Sequence, residues 1–424
     1  MSRSIPFTAG LFAIALAPLL SIAGDWPQIL GPQRNGVASD EQLAVWPATG
    51  PTILWSRPVG SGYAGLATTA DRAILHHRIE DQEVVEALDL TSGETIWRDQ
   101  YPCSFRPQVG GGDGPLAVPT IAEDRVITFG SQGVLSCYDL RTGELSWRRG
   151  THDDFDAREG YFGAGSSPIV VDGKVIVNVG GFRTDASVVA FSLKTGETLW
   201  HTFNDHASYA SPVLLSPDAA GRARLLVLTR LNALVLDPAD GSILQEFPYG
   251  ARGPTVTAAN PVQLDAGRLF LTASYGIGAI HAEVTEREIK QLWQGDDLFS
   301  SQYCTPVPAG DVLFGIDGRQ DVPPADLKCI DPNGRRVLWQ VPGFGYGSVI
   351  RAGDRLLILK TNGKLVLATA NRERYDPLAE AKVLDGTARA LPALSNGRLL
   401  VRDDSILKCL RVGASASAAK SNGE

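Results

Sequence analysis

Several short stretches of the chain are apolar at consecutive positions rather than at alternate ones. They include KVIVNV (174–179), RLLVLT (224–229), RLFLT (268–272) and RLLILK (355–360). A strand with one wet face alternates apolar and polar residues, so these runs predict strands covered on both faces. The turn signals DGK (172–174), AGR (266–268) and NGR (396–398) come just before such runs, as in tight hairpins. No long segment with a 3.6-residue period competes, and the predicted class is all-β.

The polar positions between the runs repeat. ALDLTSGETIW (87–97) returns as CYDLRTGELSW (137–147) and AFSLKTGETLW (190–200). Aligning Gly93, Gly143 and Gly196 puts Trp97, Trp147 and Trp200 four residues later in each copy, and the tryptophans lie 50 and 53 residues apart. VLDPADGSILQ (235–245) keeps Asp237 and Gly241 but has Gln245 in the tryptophan slot. CIDPNGRRVLW (329–339) carries one extra residue before Trp339, and IKQLW ends at Trp293. In this turn the glycine adopts a positive φ at no steric cost.

A period of 40–50 residues is that of propeller blades. Eight blades are expected, starting near Tyr63, Leu116, Ser166, Ser211, Asn260, Cys304, Tyr346 and Ala390. After RLLVRDDSILKCLRV (398–412) the last blade lacks its Trp-bearing strand, whereas TILWSRPV (52–59) is such a strand with no blade before it. Joining the two closes the ring and removes unpaired edges. The 360 residues from Thr52 to Arg411 divide into eight units of 45.

Composition narrows the function classes. The chain has 44% hydrophobic and 20% charged residues and a net charge of −8, with no Lys/Arg cluster, which argues against a nucleic-acid surface. Residues 1–23 read as a cleaved export signal, with Arg3, an apolar stretch broken by Pro6 and Pro18, and the small-x-small triplet Ser21–Ala23. A periplasmic or extracellular protein without a transmembrane segment in its mature form follows. Residues 24–51 are expected as an ordered strap over the blades, anchored by Trp26 and Trp46. Residues 52–412 form the propeller, and 413–424 a disordered tail. Five cysteines without a C-x-x-C pair point to small buried side chains rather than disulfides.

These motifs resemble the pyrroloquinoline-quinone (PQQ)-type repeat, an eight-bladed propeller family whose blades end in x-D-x-x-T-G-x-x-x-W. The resemblance implies that Trp55, Trp97, Trp147, Trp200, Trp293 and Trp339 dock one blade on the next. The family includes quinone-dependent alcohol and sugar dehydrogenases and the non-catalytic outer-membrane assembly factor BamB, so the fold alone does not choose an activity. The adjacent cysteine pair of the methanol- and ethanol-oxidising branch is missing here, as is a lipidated cysteine of the BamB kind.

The loops leading into each innermost strand are the natural place for a site. Tyr63, Tyr161, Tyr209, Tyr303 and Tyr346 recur in or next to them and suggest a rim that binds a protein or glycan partner. The alternative is a quinoprotein dehydrogenase using PQQ and Ca²⁺. For that reading the candidates are Glu159 and Asn260 for the metal, Arg158 and Arg252 for the quinone carboxylates, and Asp113 as base. VGGGDGP (109–115) lacks the ending of a phosphate loop, the histidines lack zinc spacing, and no G-x-S-x-G occurs. The first expectation is a monomeric, non-catalytic binding platform.

Overall fold

The computed structural model describes residues 24–413 except 254, 266, 286 and 287; the leader and most of the tail read from the sequence lie outside the described residues. Eight sheets are arranged as the blades of a propeller, each built on four antiparallel strands, and the seventh gains a short fifth strand running parallel at its inner edge. Blade three shows the plan, with strands Ile169–Val171, Lys174–Gly181, Ala186–Ser192 and Thr198–Thr202 from the axis outward. The two middle strands are almost wholly buried, as the uninterrupted apolar runs require.

Ring closure follows the expected exchange. Thr52–Pro58 is the outermost strand of the blade otherwise made by Ala393–Ser395, Arg398–Arg402 and Ile406–Arg411. Trp55 stands opposite Cys409, and Thr52 opposite Arg411.

The tryptophan slot works the same way in successive blades. Each indole nitrogen donates to a carbonyl of the following blade: Trp97 to Leu140 at 2.9 Å, Trp147 to Leu193 at 2.9 Å and Trp293 to Pro332 at 2.7 Å. The ring lies against the turn glycine of that blade. A Cβ on Gly143, at φ +75°, would sit 2.5 Å from the Trp97 ring. Gln245 keeps the polar half of the role, its amide donating to Thr285 O at 2.7 Å. In the copy with the extra residue the left-handed position falls on Arg335, at φ +46°, instead of Gly334.

All five cysteines are free and buried. Cys137, Cys329 and Cys409 each pair across the strand with a tryptophan, where Ala87 and Ala190 do so in other blades. In these five blades the position takes a small side chain because the indole fills the space beside it, whereas blade five sets His281 opposite Trp293.

Residues 24–51 are ordered, and their second half crosses blades seven and eight, with Ala44 N donating to Val412 O and Gly50 against Ala381. Their first half, through Ala38, enters the ring and plugs its axis. Trp26 exchanges backbone hydrogen bonds with Thr68 of blade one, and Ile121 of blade two donates to Pro27 O. Val37–Ala38 runs parallel to the innermost strand of blade seven. Trp26 and Trp46 are both buried. At the tip, Arg34 is 2% exposed and donates to the carbonyls of Ser167, Pro168 and Pro212 and to Gln28 Oε1. With no carboxylate beside it, burial pushes its guanidinium down to about 9. Gly24 and Glu41 meet the turn at Asn396–Gly397, so the segment enters and leaves on the face opposite the lead-in loops.

Candidate functional site

In an antiparallel four-stranded blade, the loop leading into the first strand and the turn between the second and third strands share one face. Around blades two to four, three lead-in loops (151–168, 203–212 and 249–261) and the turns after Gly181 and Thr229 converge there. They surround a cavity of about 540 Å³.

Glycines shape its wall. Gly165 packs so closely on the Tyr209 ring that a Cβ would stand 2.7 Å from it. The Tyr209 hydroxyl accepts from Phe162 N at 3.0 Å and is thereby fixed.

Three guanidiniums, those of Arg158, Arg230 and Arg252, line the cavity. Arg230 donates to Gly253 O and lies 6.0 Å from the centre of the Tyr161 ring. Arg158 and Arg252 are exposed and make no hydrogen bond or ion pair with a described residue. The two carboxylates are already engaged. Glu159 accepts from Gln132 Nε2 at 2.7 Å. Buried Asp205 accepts from the Thr229 hydroxyl, Leu231 N, Asn232 Nδ2 and His206 N.

The two imidazoles add no charge at neutral pH. Burial pushes His152 down to about 4, the opposing pull of Glu159 and Asp153 being smaller. Burial also lowers His206, helped by Arg158, Arg230 and Arg183 against Asp205. A chain of net charge −8 thus gathers unpaired positive charge at this one mouth.

Of the residues the sequence singled out, Arg158, Glu159, Tyr161, Tyr209 and Arg252 meet here. Asn260 does not. It is 1% exposed, and its Oδ1 accepts from Ser211 N at 2.9 Å between two blades. Asp113 sits over blade one, accepting from the Ser61 hydroxyl at 2.6 Å. Tyr63 and Tyr303 belong to a different group, joined through Arg389 and Gln320. Tyr346 is a core residue rather than a rim residue: it is 4% exposed, and its hydroxyl accepts from the backbone of Tyr303 and Cys304.

Sequence reasoning missed Arg230, Phe182, Asn178 and His206. The first three lie in or beside the turns between second and third strands, whereas the sequence draws the eye to the lead-in loops. The signal was available in GGFRT (180–184) and TRL (229–231), polar or aromatic breaks directly after apolar runs.

Comparison with known proteins agrees with this architecture. The family model described as outer membrane protein assembly factor BamB matches residues 80–328, more than half of the chain. The chain belongs to this PQQ-like repeat family. Among curated proteins, this PQQ-like propeller is similar to quinohemoprotein alcohol dehydrogenase ADH-IIG of Pseudomonas putida, at 28% identity over 393 residues. That match covers 82% of this chain and 51% of the dehydrogenase, so the chain spans about half the length of that relative. BamB of Shewanella oneidensis is 25% identical over 166 residues, covering 38% of this chain and 39% of BamB. The crystal structure of BamB from Moraxella catarrhalis superposes with a TM-score of 0.63 at 16% identity, covering 85% of this chain and 100% of that one. That likeness concerns the fold.

The PQQ and calcium set does not assemble. Asn260 is consumed between blades while Glu159 faces the cavity, and Asp154 and Asp156 of the same acidic loop pair with Arg149 and Arg183. Among the described residues there is no group of three or more His, Cys, Asp or Glu side chains able to hold a metal ion. The arginines suit an anion and Glu159 stands with them, but the second metal ligand, Asn260, and the base, Asp113, lie elsewhere. No helix among the described residues is long and apolar enough to cross a membrane.

Proposed function

We propose that this PQQ-like propeller is an exported, non-catalytic binding platform, whose loop-bearing face engages a protein or glycan partner around the cavity over blades two to four. One observation carries the reading. Arg158 and Arg252, without intramolecular partners, stand beside Tyr161 and exposed Phe182. A binding mouth needs aromatic anchors and unsatisfied polar groups, which this one has. The axis, filled by the first half of the 24–51 segment with Arg34 at its tip, gives further support.

The test has two arms. A photocrosslinking residue in place of Phe182, in intact envelopes of the producing cell, is expected to trap a discrete partner; adducts no different from those at a remote surface position would count against the platform. Titration of the purified protein with PQQ and Ca²⁺ is expected to give neither saturable absorbance change nor dye-coupled oxidation of alcohols or glucose. Saturable binding with turnover would restore the dehydrogenase reading.

A further inference from the structure

We infer that the cavity over blades two to four is a subsite for an acidic saccharide, a sugar chain bearing carboxylate or sulfate groups. This rests on the platform reading and names its ligand chemistry. The guanidiniums of Arg158, Arg230 and Arg252 are planar forks suited to oxyanions, and two of them have no protein partner to displace.

Two further polar groups point beyond a bare anion. Asn178 is 1% exposed and lines the cavity; its Nδ2 donates to Leu228 O at 2.8 Å, and its Oδ1 has no protein partner. His152 also lines it, 8% exposed, with Nδ1 unpaired. A buried acceptor without a donor is costly, and a ligand hydroxyl satisfies it. One lip of the cavity is a tilted aromatic pair. Phe182 is 48% exposed, its ring centre 5.2 Å from that of His206 with the planes 33° apart. Aromatic platforms of this kind receive the apolar C–H face of a sugar ring. Anionic group, hydroxyl donors and an apolar face at fixed separation are together the description of an acidic sugar. A cavity of about 540 Å³ lies within the range that takes small ligands.

The experiment is calorimetric titration of the purified full-length protein with trigalacturonate and a sulfated disaccharide, alongside neutral galactotriose, a tetraglutamate peptide and sodium sulfate. At least one acidic saccharide is expected to bind at least tenfold tighter than galactotriose, the tetraglutamate and sulfate alone, and to weaken as salt rises. Arg158→Ala and Arg252→Ala should each weaken it about tenfold. Both side chains are exposed and unpaired, so these variants keep the fold, and unchanged melting temperatures verify this. Phe182→Ala should weaken saccharide binding while leaving sulfate binding alone. Equal binding of galactotriose overturns the role of the arginines. Preference for the tetraglutamate makes the ligand an acidic peptide and overturns the saccharide assignment. No binding by any probe overturns the subsite, whereas the platform stands or falls on the crosslinking result.

Discussion

At the scale of single residues, the repeat is a lock between an indole and a glycine. Gly143 and Gly173 both have positive φ, +75° and +69°, so alanine costs each about 1 kcal/mol of backbone strain. Only Gly143 has a ring behind it: a Cβ there would stand 2.5 Å from the Trp97 ring, whereas one on Gly173 would meet nothing within 4 Å. Gly143→Ala is therefore expected to destabilise by roughly 1–3 kcal/mol more than Gly173→Ala in urea unfolding, the difference being overpacking. Equal losses would mean that the indole does not rest on the turn. The cysteines give a second residue-scale prediction. Burial raises Cys137 to about 11 and Cys329 and Cys409 to about 12. A thiol-specific reagent at pH 8 should therefore label none of the five in the native protein and all five in denaturant.

Between elements, buried carboxylates stitch neighbouring blades. Glu83 of blade one accepts from Ser131 N and Oγ of blade two at 2.9 and 2.6 Å, and from the Tyr101 hydroxyl at 2.7 Å. Glu86 receives Arg57 of the closing strand at 2.8 Å. Burial pushes both carboxyls up. The histidines beside them, His76 and His77, with the hydroxyl donors and Arg57, more than reverse this and hold both at about 2. Because these folded values lie below the ordinary 4.5, their stabilisation is complete above pH 4.5 and is lost as pH falls toward 2. For Glu83 the loss is of order 3 kcal/mol. His152 adds a window at higher pH. Its imidazole stays neutral down to about pH 4, while the unfolded chain takes up a proton near 6.5, so stability also falls between those values. Denaturant midpoints measured from neutral pH down to about 2 should show both declines, and Glu83→Gln should flatten the lower one. A midpoint independent of pH would contradict the stitched seam.

For the whole molecule the decisive event is the union of the two ends of the propeller. Ser56 and Lys408 are cross-strand partners, so Ser56→Cys with Lys408→Cys should form a disulfide in the folded protein. It would clasp nearly the entire ring and raise unfolding resistance by a few kcal/mol. Failure to oxidise, checked by non-reducing electrophoresis after proteolysis, would mean the ring is closed differently. This closure was legible in the sequence because a missing Trp-bearing strand and a surplus one are countable. So were the eight blades, because each must bury both faces of its middle strands and announces this in consecutive apolar runs. The cavity was half legible. Arg158, Glu159, Tyr161, Tyr209 and Arg252 stand on long, polar lead-in loops that catch the eye, whereas Arg230 and Phe182 sit on short turns that look merely structural. Their meeting depends on the curvature of the ring, which brings loops of successive blades onto one face. The same holds for Asn260, whose side chain turned into a seam, and for residues 24–51, whose two tryptophans announced burial but not where. Local pattern and turn chemistry therefore determined the strands, the repeat and the closure, all of which are satisfied within one blade or by simple counting. Which side chains face a common cavity and what fills the axis were decided by tertiary packing, because both depend on distances between blades that no local preference encodes.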